Sequence, residues 1–205
     1  MGYFHNKKLF VTLGADNVGK TTMLMYSMRF AKEILGKKVF YMHFSAPKVG
    51  QSPCDMYYDA LETMVSELDN YDYVYLDRAW PESKFYEQER RGIIISYDDV
   101  LEVEKTYQDI FKKYGYTSGI YLMYKNWDFI RKFHIQELEK NQEFVQKSKK
   151  LNNEPDSLGM RKLEYGKYYR YMQDYCNTRT HMEPSLAKRM SWNIINTTDL
   201  HFILI

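Results

Sequence analysis

Gly14-Ala15-Asp16-Asn17-Val18-Gly19-Lys20-Thr21 has the residue types and spacing of a phosphate cradle, GxxxxGK[ST]. Successive backbone N–H groups of such a turn point inward around an anion. The helix that starts near Gly19 adds the positive end of its dipole. Lys20 reaches the β- and γ-phosphates as a mobile cation, and the Thr21 hydroxyl can ligate Mg²⁺. The phosphate-binding set is Gly14, Asn17, Val18, Gly19, Lys20, Thr21 and Thr22. A chance match arises about 1% of the time in a chain of this length, and here a strand precedes the loop and a helix follows. Asp16 has two readings: a turn former, or a contact to an acceptor lying opposite the triphosphate.

The second chemical stretch is Tyr71 to Asp77 followed by Arg78. Ligands of a parallel sheet gather at the carboxyl ends of its strands. Asp77 then stands beside the loop, placed to hold the Mg²⁺ shell, and Arg78 offers a planar fork for a phosphate. The alternative is a strand-end ion pair.

The elements that must position these residues alternate. Lys7 to Leu13, Lys37 to Phe44, Tyr71 to Asp77, Gly119 to Tyr124 and Trp192 to Thr197 read as strands. Helical stretches are Gly19 to Leu35, Asp55 to Leu68 with Asp55 as cap, Asp98 to Tyr114, Asp128 to Lys150 and Arg161 to Tyr175. Asn152 to Gly159 reads as a loop, and "HFILI" at the end as a short strand or packed tail. The pattern predicts an α/β fold of the P-loop type, with a central parallel sheet of about five strands between helix layers. Residues 1–205 read as one domain, with a helical lid segment about residues 150–165. Lid cations complete such sites; Arg161 is the first choice among Arg131, Arg161, Lys162 and Arg170.

Composition narrows the class. The net charge is +2 over 205 residues, which argues against a dedicated nucleic-acid or membrane-surface binder. Cys54 and Cys176 form no CxxC pair, and the five histidines show no metal-ligand spacing. His43, at the end of the second strand, has two readings: a residue facing the site, or a packed strand-end histidine, and the second is the expectation. No apolar run has the length of a membrane span and no secretory signal opens the chain, so a cytoplasmic protein is expected.

Together the two stretches resemble the thymidylate kinases. That family carries EGxDGxGKTT, and Leu13 to Thr22 matches it with Asp16 on the aspartate and Leu13 in place of the glutamate. It also carries DRYxxSxxAYQGxxRG, and "DRAWPESKFYEQERRG" aligns without gaps: Asp77, Arg78, Ser83 one place late, Tyr86, Arg91 and Gly92. The resemblance covers roughly the first 92 residues. It implies Mg²⁺-dependent transfer of the ATP γ-phosphoryl group to a deoxynucleoside monophosphate, with small nucleotides as partners and a homodimer as assembly. Arg78 would hold the acceptor phosphate and Asp16 would contact its sugar and phosphate. Tyr86 would lie against the deoxyribose, with Ser83 near the base and Arg91 near the pocket. Phe44 loosely keeps the family's Phe-Pro loop. The family's arginine in the helix before the Asp-Arg motif is missing; Tyr57 and Tyr58 occupy that region. The departures fall on base recognition rather than on phosphate chemistry.

Two other functions use the same loop. One is a deoxynucleoside or modified-pyrimidine kinase, which needs a base near Asp77. The other is a P-loop NTPase switch or binding protein; the nearest string to a guanine motif, "KNWD", has the wrong order.

Overall fold

The computed structural model describes residues 7–48, 50–140 and 157–198. Five strands form one sheet: β1 (Lys7–Leu13), β2 (Val39–His43), β3 (Tyr73–Asp77), β4 (Tyr116–Tyr124) and β5 (Met190–Asn196). All pairings are parallel and the order is β2-β3-β1-β4-β5. The helices are α1 (Lys20–Glu33), α2 (Pro53–Val65), α3 (Trp80–Arg91), α4 (Tyr97–Lys113), α5 (Trp127–Lys140), α6 (Ser157–Met182) and α7 (Pro184–Arg189). This is the P-loop α/β architecture that the alternation predicts.

Period-two alternation divides the sheet into two faces. Val11, Val74, Leu76, Ile120 and Leu122 are buried. Tyr116 shares the Ile120 face and meets Phe111 of α4 edge-on at 5.1 Å. On the other face Phe10 stacks on Tyr75 at 4.6 Å, and the Tyr75 hydroxyl meets Ser27 of α1 at 3.0 Å. Helices α1 and α4 therefore cover opposite faces, giving three layers. Burial of the large side chains drives this sandwich, at about 1.5–3 kcal/mol for each fully buried aliphatic or aromatic residue.

The register positions the site. Thr12 of β1 pairs with Asp77 of β3, so the Asp-Arg tip ends beside the loop that leaves β1. His43 of β2 pairs with the same Asp77. Three strand ends thus deliver their chemistry to one edge of the sheet, as expected at the carboxyl ends of parallel strands.

Several boundaries differ from the expectations. Helix α2 is capped by Ser52, whose Oγ accepts from the Cys54 N–H at 3.2 Å, and Pro53 fills the first turn where its missing N–H has no cost. Asp55 is inside the helix. Ser96 and Asp99 form a reciprocal capping box before α4. Ser157 to Gly159, expected in a loop, belong to α6, which runs well beyond Tyr175. The expected helix continues to Lys140 in the described part; residues 141–156, including most of the expected loop and the start of the lid, and "HFILI" lie outside the described residues. Among the described residues, no helix is long and apolar enough to cross a membrane.

Candidate active site at the phosphate loop

Gly14 opens the loop where no side chain fits. A Cβ there would lie 2.8 Å from the Met123 carbonyl oxygen and 2.8 Å from a Val18 methyl group. Asn17 (φ 65°) and Gly19 (φ 91°) adopt left-handed conformations that turn the chain into α1; Asn tolerates this region better than most residues. Val18 is buried, and its carbonyl accepts from Thr197 Oγ1 at 2.7 Å, tying the loop to the chain after β5. The first turn of α1 contains no acidic residue, leaving its dipole available to an anion.

Lys20 is 7% exposed. Its Nζ donates to the Gly14 carbonyl and, at 2.8 Å, to the Ala15 carbonyl. Burial lowers its pKa, while the Glu82 charge opposes that change. Thr21 and Thr22 are exposed on the first turn and border the main cavity.

Asp77 is 1% exposed. Its Oδ2 accepts from Tyr41 Oη at 3.0 Å and pairs with His43 Nδ1 at 3.1 Å. Burial, followed by the Asp77 charge, pushes the Tyr41 phenol up to about 12. The other carboxylate oxygen, Oδ1, is buried without a hydrogen-bond partner. An orphan acceptor beside a phosphate loop fits a hydrated Mg²⁺, with Thr21 as the second protein oxygen. Among the described residues, no cluster of three or more His, Cys, Asp or Glu can hold a metal unaided. A metal here would therefore depend on phosphate oxygens as well.

Arg78 has φ 68°, unusual for a residue with a side chain. Its N–H donates to the Thr12 carbonyl at 2.9 Å, which continues the strand pairing through this bend. The guanidinium then points into the cleft: Nη2 reaches Asp16 Oδ1 at 2.7 Å and Nη1 lies 4.0 Å from Glu82 Oε2. The ring of Tyr86 lies 5.5 Å from it. Burial works against the Arg78 charge, but Glu82 and Asp16 outweigh it and raise the pKa. For Asp16 burial likewise opposes ionisation; Arg78, Lys20 and Arg90 overcome it and lower the pKa.

Two cavities meet at this point. The larger, about 750 Å³, is bordered by Asp16, Asn17, Gly19, Lys20, Thr21, Thr22, Asp77 and Arg161. The smaller, about 410 Å³, is bordered by Phe44, Tyr57, Ser83 and Arg91. His43, Arg78, Tyr86 and Arg90 border both. In the smaller one Ser83 Oγ and Tyr57 Oη are 2.5 Å apart, and the Phe44 ring lies 4.7 Å from Tyr57. Gly14 and Val18 support the loop from below rather than facing either cavity.

The structure also assigns places that the sequence reading did not. Glu82, 2% exposed, accepts from the Gly14 N–H at 2.7 Å and from the Tyr168 hydroxyl. Arg161 donates to His134 Nδ1, to which Asn17 Nδ2 donates at 3.3 Å; arginine only donates, so this nitrogen is the acceptor. His43 is not packed away: it is 46% exposed and faces the cavities. Arg91 pairs with Glu87 at 3.2 Å at the cavity edge, whereas its neighbour Arg90 reaches Asp16 and Glu164. Arg131, Lys162 and Arg170 are exposed on their helices. The signal for Glu82 and Tyr168 was absent because neither motif spans both; they meet through the packing of α3 against α6.

Fold and site define a P-loop α/β protein with a second cavity facing the phosphate loop. No protein-family model matches the chain, and no curated protein matches it. Among solved structures it is similar to polyphosphate kinase 2 from Arthrobacter aurescens TC1, at 14% identity and a TM-score of 0.47. The match covers 93% of this chain and 61% of that one, so this chain spans about three-fifths of that protein's length.

Proposed function

We propose that the protein transfers the γ-phosphoryl group of ATP to a deoxynucleoside monophosphate, thymidylate or a related pyrimidine nucleotide, giving the diphosphate. One observation carries this reading: two cavities open onto each other across Arg78, one floored by the phosphate loop and the other by Phe44, Tyr57 and Ser83. A hydrolytic switch has no use for the second cavity. The likeness to thymidylate kinases in the two motifs supports the same assignment.

Phosphoryl transfer asks the protein mainly for alignment and charge neutralisation. Lys20 and the loop amides would hold the triphosphate, and Arg78 the acceptor phosphate, so that two anions approach end to end. Mg²⁺, held by Thr21 and Asp77 with the phosphates, would neutralise the developing charge. Tyr86, half-buried beside Arg78, fits a face against the sugar. The Tyr57–Ser83 hydroxyl pair offers a polar edge to a base where the related family uses arginine.

A panel of deoxynucleoside and ribonucleoside monophosphates with ATP and Mg²⁺, read by diphosphate formation, tests the proposal. Arg78→Ala is expected to raise the acceptor KM by about two orders of magnitude while the ATP KM changes less than about threefold. Equal losses for both substrates would refute the assigned role.

A second reading has a specific observation in its favour. His43 faces the cavities with its Nδ1 on Asp77 at 3.1 Å, the arrangement of a base and its orienting carboxylate. A nucleoside hydroxyl needs such a base; a nucleotide phosphate does not. Thymidine turnover exceeding thymidylate turnover, abolished by His43→Gln, would favour it.

A further inference from the structure

Asp16 is gripped by two guanidiniums, one on each oxygen. Arg78 Nη2 holds Oδ1 at 2.7 Å, and Arg90 Nη2 holds Oδ2 at 3.4 Å. Both guanidiniums lie against the Tyr86 ring, at 5.5 and 4.4 Å from its centre. Arg90 also donates to Glu164 of α6 through Nε at 3.1 Å and Nη2 at 2.8 Å. Thus two convergent forks, both facing the boundary between the cavities, are occupied by carboxylates of the protein itself.

We propose that Arg90 is a second acceptor-phosphate ligand beside Arg78, and that Asp16 and Glu164 hold its fork until the acceptor phosphate replaces them. This rests on the acceptor site described above. A phosphate presents paired oxygens as a carboxylate does, and carries more charge, so it competes well for guanidinium forks. The exchange is inexpensive because the resident ion pairs are wet: Arg90 is 51% exposed, Asp16 44% and Glu164 35%. Solvent-screened pairs of this kind contribute little to stability. Arg91, the sequence candidate, is engaged by Glu87 four residues back along α3. A purely structural role for Arg90 would be to strap α3 to α6, but Lys167 and Glu89 already bridge those helices at 2.6 Å.

The test is calorimetric titration with the loop filled by Mg²⁺ and a non-hydrolysable ATP analogue. The probes are thymidine monophosphate and inorganic phosphate. Arg90→Gln is expected to weaken both probes by about tenfold or more while the analogue's own affinity changes less than about twofold; Arg90→Lys recovers little, because an ammonium lacks the fork. Glu164→Gln, which removes a competitor without touching Arg90, is expected to tighten both probes severalfold. An unchanged probe affinity in Arg90→Gln, an equal loss for the analogue, or no tightening in Glu164→Gln overturns the proposal. Phosphate binding that depends on Arg90 without any diphosphate formation by the wild type would retain the clamp and reject the kinase reading.

Discussion

Glu104 and Glu82 are both buried carboxylates beside arginines, yet they are satisfied differently. Glu104, 0% exposed, takes Arg179 Nε and Gln108 on one oxygen and Tyr175 and Trp80 on the other. Arg179 Nη2 donates to the carbonyls of Leu186 and Met190. That centre closes α4, α6 and α7 over the core, and Glu104 and Arg179 border neither of the two cavities at the loop. Glu82 concentrates both of its hydrogen bonds on Oε1, leaves Oε2 without a hydrogen-bond partner, and borders the smaller cavity. A carboxylate with both oxygens partnered marks a structural centre, even though Gln108 Oε1 beside it has no hydrogen-bond partner. An incompletely partnered one beside an opening marks a centre organised for something else.

Substitutions can break or sharpen this contrast. The largest effect is expected at the complete centre. Arg179→Ala leaves Glu104 as an uncompensated buried charge and should cost about 3–5 kcal/mol in denaturant unfolding, with turnover per folded molecule retained. A mild loss would erase the distinction.

Next comes Lys20→Ala at the incomplete centre. Turnover should fall by about 10²–10³-fold, while the thermal midpoint moves by only ~2 °C. A large stability loss would make Lys20 a core residue rather than a ligand.

Gly14→Ala comes third, since Gly14 links Glu82 to the loop. The added methyl would press on the Met123 carbonyl at 2.8 Å, so a loss of about 1–3 kcal/mol is expected, together with a raised ATP KM.

Glu82→Gln is the finest test. Burial raises the Glu82 pKa above its ordinary 4.5, although Lys20 and Arg78 oppose the rise. The folded protein then binds this proton more tightly than the unfolded chain does. Stability from Glu82 is present below that ordinary value and is lost as pH rises through the higher folded value. The neutral glutamine escapes the loss, so the variant should gain on the wild type as pH rises above the ordinary 4.5 in paired unfolding measurements. A difference between the two that ignores pH would place Glu82 with the structural centre.

How far each region was legible follows from the range of its contacts. Helix α3 was not announced by periodicity because its buried positions include Glu82, Lys84 and Glu87 beside Trp80 and Phe85. Charged residues on an inward face hide the apolar stripe that a sequence reading depends on. Helix α6 was read too short for a related reason: Arg179, near its end, is a core residue only because Glu104 waits for it. The lid candidate Arg161 does border the main cavity, yet its His134 partner carried no motif and was read only as lacking metal-ligand spacing.

By itself the sequence determined the sheet class, the phosphate loop and the Asp77–Arg78 strand tip. Each of these is encoded within a few consecutive residues, where backbone geometry and side-chain type act directly. Only the tertiary structure decided that Arg90 borders both cavities while Arg91 borders only the smaller, that His43 lines them rather than packing away, and that Tyr168 reaches Glu82 from 86 residues away. Those outcomes depend on how α3 rotates against α6 and which side chains share one buried space. Packing settles them through contacts too distant along the chain for local pattern to record.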